Sequence, residues 1–318
     1  VKRALITGVA GFAGSHLAQL LISKKISVFG FYHPLHKSTS NIDEFKKDIN
    51  LIGCDLSSQP EIENHLRKIK PDYVFHLAAY ASASLSFKSP KKTLENNIFS
   101  QLNLLEALLK TKINSKVLVI GSSDEYGNVD PSNLPVTEDA PIAPISPYAL
   151  SKLFQDLMGY QYFLGHKSFI VRVRPFNHIG PRQSQNFVVP DFISQIVDLE
   201  QKGGGIMKVG NIDAWRDFTD VRDMAGAYLL ALEKGKPGEV YNIGSGKPVK
   251  ISDILNKLIS LSKVKIKVEQ DQSLLRPVDI KNIYCDSSKF RMQTKWVPTI
   301  PIEVTLLDAI DFEREKRR

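Results

Sequence analysis

Tyr148 and Lys152 stand four residues apart in the run Ser146-Pro147-Tyr148-Ala149-Leu150-Ser151-Lys152. If that segment is helical, phenol and ammonium share one face, a turn apart. A nearby cation lowers a phenol's pKa from ~10, so Tyr148 could exchange a proton with a substrate oxygen near neutrality. A hydroxyl from elsewhere must then orient that oxygen. The segment Gly121-Ser122-Ser123-Asp124-Glu125-Tyr126-Gly127 offers Ser122 just past the apolar run Val117 to Ile120, and doubly wound sheets bind ligands beyond the carboxyl ends of their strands. A tyrosine–lysine pair at this spacing is common by chance, so its meaning depends on what surrounds it.

What surrounds it includes a phosphate-binding turn. The strand-like run Ala4 to Thr7 leads into Gly8-Val-Ala-Gly11-Phe-Ala-Gly14, and a helix is expected to begin near Ser15. Gly8 permits a tight turn, Gly11 lets the backbone approach a pyrophosphate, and Gly14 lets helix and strand pack closely. The acidic residue usual some ~20 positions on, which holds the adenosine ribose, is missing where the second strand ends in Gly30-Phe31-Tyr32-His33. His33, His36 and Lys37 favour a 2′-phosphate there, hence NADP, with NAD as the alternative. Asp55, after the third strand, is a candidate against the adenine and equally a loop cap.

The elements that must position these groups alternate. Strands are expected at Arg3–Thr7, Ser27–Tyr32, Asn50–Cys54, Tyr73–Ala78 and Lys116–Ile120, with 3.6-residue periodicity at His16–Ile22, Ile62–Ile69 and Leu94–Leu109. That alternation predicts an α/β fold around a parallel doubly wound sheet. The stretch Pro131–Pro147, with five prolines, reads as a loop running into a helix. Asn177–Val189 and Gly203–Asp223 read as irregular connections, Glu239–Ile243 as a buried strand, and Ser252–Leu261 as a helix capped by Ser252. The expected division is a dinucleotide-binding domain over 1–173, with segments around 211–245 returning to it, and a smaller lobe over most of 174–318.

Composition narrows the function classes. Forty-two basic and 34 acidic side chains give a net charge of +8, but the basic residues are scattered. The one dense run, Arg314 with Lys316, Arg317 and Arg318, is broken by Glu313 and Glu315. No stripe or module for nucleic acid is evident, and the same charge could serve phosphorylated small molecules. No apolar run reaches ~18 residues, so no membrane span is expected; a leader pattern is also missing, and a cytoplasmic location is expected. Two cysteines, Cys54 and Cys285, suggest neither a disulfide framework nor a metal site.

The strings TGVAGFAGSHL, DYVFHLAA, GSSDEYG, SPYALSK, RPFNHIGPRQS, GNIDAWRDFTDVRD, VYNIGSGKPV and LRPVDIKNIYCDSSKF resemble, in order and over nearly the whole chain, the extended short-chain dehydrogenase/reductase family. The closest likeness is to its branch acting on GDP-bound hexoses, which holds GDP-4-keto-6-deoxy-mannose reductases and GDP-mannose 4,6-dehydratases. The resemblance implies a Rossmann-type fold with a C-terminal substrate-binding lobe, and Ser122, Tyr148 and Lys152 as catalytic trio. It implies cofactor contacts from Gly8, Gly11, Phe12, Ala13, Gly14, His33, Asp55, Leu56, Leu77, Ala78, Ala79 and Asn97, the last supporting the lysine. Substrate contacts would come from Asn177, Arg182, Val188, Arg216, Arg276 and Asp279, with Arg216 and Arg276 clamping the diphosphate of a GDP-sugar.

The same resemblance sets the choice of reaction. Dehydratases need a base for the sugar's C5 proton and place a glutamate two residues after the catalytic hydroxyl; here that position is Asp124, one bond shorter. The reductase is therefore favoured, with the dehydratase, an epimerase and a dinucleotide-sensing scaffold as alternatives. Relatives pair as dimers through two helices, and the apolar faces of Leu94–Leu109 and Tyr148–Phe163 are expected to form such a four-helix bundle.

Overall fold

The computed structural model describes residues 1–35, 39–275 and 278–318; the expected phosphate contacts His36, Lys37 and Arg276 lie outside them. The first half alternates as β1 (Arg3–Thr7), α1 (Phe12–Ser23), β2 (Ser27–Tyr32), β3 (Ile49–Gly53), α2 (Gln59–Ile69) and β4 (Tyr73–His76). It continues with α3 (Ala83–Lys88), α4 (Pro90–Thr111), β5 (Lys116–Ile120), α5 (Pro147–His166) and β6 (Ile170–Pro175). The second half runs β7 (Asn177–Ile179), α6 (Val188–Lys202), β8 (Gly205–Val209), β9 (Trp215–Asp220), α7 (Val221–Lys234), β10 (Val240–Ile243), β11 (Pro248–Lys250) and α8 (Ile251–Ser260). It closes with β12 (Ile266–Gln270), β13 (Asn282–Ile283), α9 (Ser288–Thr294) and α10 (Ile302–Lys316).

The main sheet has the order β10-β6-β5-β4-β1-β2-β3, and every pair in it is parallel. Winding reverses between β1 and β4, which opens a crevice at their carboxyl ends. Successive residues of a strand face opposite sides: Ile6 packs with α1 and α7 through Leu17, Leu21, Met224 and Tyr228, while Leu5 packs with α2 and α4 through Leu66, Leu104 and Leu108. Burial on both faces is why these strands read as continuous apolar runs. A separate core of Phe192, Ile196, Ile254, Leu258 and Ile310 lies among α6, α8 and α10, beside a small sheet in which β9 pairs with β7, β11 and β13. Among the described residues no helix is long and apolar enough to cross a membrane.

Several expectations are corrected. The stretches 177–189 and 203–223, expected to be irregular, contain β7, β8 and β9 and the start of α6; β7 has only three residues and Gly203, Gly204 and Gly205 all take positive φ, so neither shows a usable period. Ser252 does not cap α8. The cap is Lys250, and the first amides of the helix reach other backbone instead, Ile251 N to Ala214 O and Ser252 N to Ile212 O. The fourth strand stops at His76 because the amides of Leu77 and Ala78 turn onto Thr7, at its carbonyl and its hydroxyl.

The glycine turn is required by close contact. A Cβ on Gly14 would lie 2.3 Å from the Gly8 carbonyl oxygen, and one on Gly8, whose φ is +71°, would lie 2.9 Å from Ala78 Cα. Gly14→Ala should therefore destabilise the fold by ~1–3 kcal/mol, measured by urea unfolding; an unchanged midpoint would show that helix and strand can part there at no cost.

Candidate active site

The turn after β1 presents backbone to the crevice. Gly8 N donates to Phe31 O at 3.0 Å and Gly11 N to Gly8 O at 2.9 Å. Helix α1 starts at Phe12, earlier than expected, with Gly11 as a cap that makes no side-chain bond. The amides of Phe12, Ala13 and Gly14 thus belong to a first turn without intrahelical acceptors. Among the described residues, a Cβ on Gly11 would meet Gly8 O alone, at 3.1 Å. This open cradle of donors fits a dinucleotide pyrophosphate. Leu77, Ala78 and Ala79 follow β4 as its neighbouring wall. His33 Nδ1 accepts from Leu35 N, and its Nε2 lies 4.0 Å from Asp55. Asp55 accepts from Ser57 N, which holds its carboxyl below the usual range; it caps its loop and faces His33 at once. Leu56 is buried, and its carbonyl accepts from Asn103.

Helix α5 opens with Ser146 accepting from Ala149 N and with Pro147 in the first turn, so Tyr148 and Lys152 fall on the face toward β5. The Ser122 hydroxyl accepts from Asp124 N at 3.1 Å and lies close enough to the Tyr148 phenol to lower its pKa. Lys152 Nζ, buried, donates to Ile120 O at 2.8 Å and Gln155 Oε1 at 2.9 Å. Burial pushes this lysine down to about 8, opposed by the Glu125 carboxylate.

The expected lowering of the phenol's pKa is corrected by this geometry. The ammonium is held at the strand end, while burial, and after it the Asp124 carboxylate, pushes Tyr148 well above its ordinary value despite the opposing influence of the Ser122 hydroxyl. The phenol therefore keeps its proton at neutral pH. Asn97 is buried, with Oδ1 accepting from Tyr80 N and Nδ2 donating to Ser151 Oγ and Tyr80 O; it ties the segment after β4 to α5.

Sequence reasoning missed the groups beneath the trio. His76 is buried, pairs with Thr7 Oγ1 at 2.9 Å, and is pushed down to about 3 by burial and by the Lys152 charge; it is neutral. Glu125, Asp156, Arg172 and Arg174 form a buried charged cluster, and nothing in their spacing announces it.

In the smaller lobe Arg216 and Asp279 come together: Nη2 to Oδ1 is 3.0 Å, and Asn211 donates to the other carboxylate oxygen. Asn177 opens β7 opposite Phe218, and Val188 opens α6 against the lobe's core. Arg182 does not join Arg216. Its guanidinium lies over the Phe45 ring and 4.0 Å from Glu44, and its carbonyl accepts from Asn41, whose amide also reaches Ala10 O; its contacts are with the β2–β3 connection and the glycine turn. The fold also brings Cys54, Glu61 and His65 within 4.8 Å of one another, a cluster hidden by their sequence spacing; burial pushes the Cys54 thiol up to about 12, as for a core thiol.

A model of the family described as GDP-mannose 4,6 dehydratase matches residues 5–308. The chain belongs to this family. GDP-6-deoxy-D-mannose reductase from Pseudomonas aeruginosa is 32% identical over 99% of both chains, and GDP-mannose 4,6 dehydratase 2 from Arabidopsis thaliana is 30% identical over 99% of this chain and 88% of its own. The solved structure of RMD from Pseudomonas aeruginosa complexed with NADPH superposes with a TM-score of 0.85 at 30% identity, covering 99% of this chain and 100% of that one.

For this member of the GDP-mannose 4,6 dehydratase family, the geometry offers a protonated phenol and a hydroxyl converging on one point, with a buried cation behind them. That arrangement can hand a proton to a carbonyl oxygen that gains charge. Because Lys152 is charged only below about 8, kcat/KM, which reports the free enzyme, should fall as pH rises through that value. Lys152→Arg should move the alkaline limb up by about a unit or more; a limb that stays in place would assign it to another group.

Proposed function

We propose that this protein reduces the C4 ketone of a GDP-4-keto-6-deoxyhexose with NADPH. The observation that carries the reading is the Tyr148 phenol, kept protonated by burial and facing the Ser122 hydroxyl, with Lys152 Nζ held on Ile120 O at the carboxyl edge of the sheet. A ketone that accepts hydride needs an acid at its oxygen, and Tyr148 is placed to be that acid. Ser122 holds and polarises the oxygen, and Lys152 supplies positive charge and a donor for the nicotinamide ribose. Gly8, Gly11 and Gly14 with the first amides of α1 cradle the pyrophosphate. The second strand ends in His33 rather than in an acidic residue, which favours NADP over NAD and agrees with the NADPH in the Pseudomonas aeruginosa structure. When bound, the cofactor supplies the hydride. In this reading the main sheet holds the cofactor and the lobe after residue 174 holds the sugar nucleotide, with Asn177, Val188, Arg216 and Asp279 on its side of the crevice.

A second reading, GDP-mannose 4,6-dehydration, has one specific observation in its favour: Asp124 lies close enough to Tyr148 to raise its pKa, where an elimination would want a base. Its carboxyl is one bond shorter than the glutamate of that reaction, and a misplacement of ~1 Å is costly. Following NADPH absorbance with each sugar separates the two. Oxidation with the 4-keto-6-deoxy sugar alone supports reduction, whereas conversion of GDP-mannose without net cofactor change supports dehydration. Tyr148→Phe should keep NADPH affinity within about twofold and lower turnover by ~10²-fold or more; near-full activity would remove Tyr148 from the mechanism.

We further propose a homodimer through α4 and α5, with the protein working in the cytoplasm, where two buried free thiols would remain reduced. Phe99 on α4 and Phe154, Leu157 and Leu164 on α5 are each at least half exposed, an apolar strip that a second copy would cover. Phe154→Glu with Leu157→Glu should convert a dimer to a monomer in sedimentation equilibrium; a wild type that sediments as a monomer would refute the pairing.

A further inference from the structure

Behind the proposed catalytic groups, Glu125 is fully buried and makes contacts that no proton transfer requires. Its Oε1 accepts from Ser122 N at 2.8 Å, closing a capping box in which Ser122 Oγ accepts from Asp124 N, in the same turn as Glu125. Its Oε2 lies 3.1 Å from Arg174 Nε. Its backbone carbonyl accepts from Ala143 N, on the loop that leads into α5. Gly121 makes room for it, since a Cβ there would lie 2.4 Å from Glu125 Oε1. Arg174 in turn grips Asp156 at 2.7 Å, and Asp156 follows Lys152 by one turn of α5. The carboxyl of Glu125 therefore stands between the strand end that bears Ser122 and the helix that bears Tyr148 and Lys152.

Other duties for this residue are closed off by its surroundings. It is without solvent access, so it is not a base for a bound sugar. As a mere partner for Arg174 it would be redundant, because Asp156 already contacts that guanidinium through both Nε and Nη2. The contact that belongs to Glu125 alone is the one to the Ser122 amide.

We propose that Glu125 is a positioning residue, which fixes the Ser122 peptide, and with it the hydroxyl, opposite the Tyr148 phenol. The inference rests on the ketone-reduction reading for its assay. Glu125→Gln keeps an acceptor for the Ser122 amide, whereas Glu125→Leu removes it at similar length. Glu125→Leu should lower kcat by about tenfold to a hundredfold while the KM for the keto sugar and the NADPH affinity stay within about twofold, and Glu125→Gln should recover most of the loss. In a Ser122→Ala background the leucine substitution should cost less than about twofold, because the two residues act as one unit.

If the leucine variant does not fold, Glu125→Asp carries the test: it keeps a carboxyl group but withdraws the acceptor by one methylene, and kcat should fall at unchanged NADPH affinity. An unaltered kcat in the folded leucine or aspartate variant overturns the proposal, as does an equal loss in wild-type and Ser122→Ala backgrounds, or a glutamine variant as impaired as leucine. A wild type that turns over GDP-mannose instead would overturn the reduction reading, and the same variants measured in that reaction would still decide the role of Glu125.

Discussion

Two arginines inside a protein need an anion, and the position of α5 follows from where they find it. Arg172 and Arg174 alternate along β6 and so face the same side. Both are buried, and a buried guanidinium without a counter-charge is far too costly to keep. Asp156 answers both, with Oδ1 at 2.7 Å from Arg172 Nη1 and Oδ2 at 2.7 Å from Arg174 Nη2. Such a cluster need not add net stability, but removing one partner typically costs ~3–5 kcal/mol, so it discriminates sharply against any other rotation of the helix. Once Asp156 is fixed on the sheet-facing side, Lys152, one turn before it, must face the sheet as well, and its ammonium meets the carbonyl of Ile120.

The same burial sets the acid–base character of the site. Tyr148 and Lys152 are moved in opposite directions by one cause, since loss of water disfavours the phenolate and the ammonium alike. The phenol holds its proton more firmly and the lysine less so. A raised pKa makes the phenol a weaker acid but keeps it in the protonated form that a proton donor requires. The neutral His76 below adds no competing charge, leaving the Lys152 ammonium and the Glu125–Asp156–Arg174 cluster to shape the local field.

How much of this can be read in the sequence depends on how far apart the interacting residues lie. The strands of the main sheet are legible because each is apolar on both faces, and the glycine turn because the contacts of Gly11 and Gly14 with Gly8 lie within one loop. The placement of Ser122, Tyr148 and Lys152 near one another is legible because helical spacing and strand-end position bring them together. The lobe is not: β7, β11 and β13 have three, three and two residues and exist only because β9 pairs with them, a relation without local period. Arg172, Arg174 and Asp156 read as ordinary charges, since nothing near them in sequence says they are buried together. The motif around Arg182 points it toward the sugar, yet its neighbours Asn41, Glu44 and Phe45 come from the β2–β3 connection, a contact only the fold creates.

The Arg216–Asp279 pair shows how a largely buried arginine can be held in one orientation. Its guanidinium is largely buried on β9, and Asp279, 3.0 Å away, supplies a counter-charge. The aspartate is itself steadied by Asn211, so the arginine is pinned in one orientation rather than left to search for one. Its bond to the Trp215 carbonyl uses another of its donors, and a guanidinium has five. An anionic ligand that approaches this edge meets a donor already desolvated and oriented, so less rotamer entropy remains to be lost on binding. Asp279 offsets part of the cost of burying that charge during folding, so under the proposed reading it would act on recognition without touching the reacting atoms.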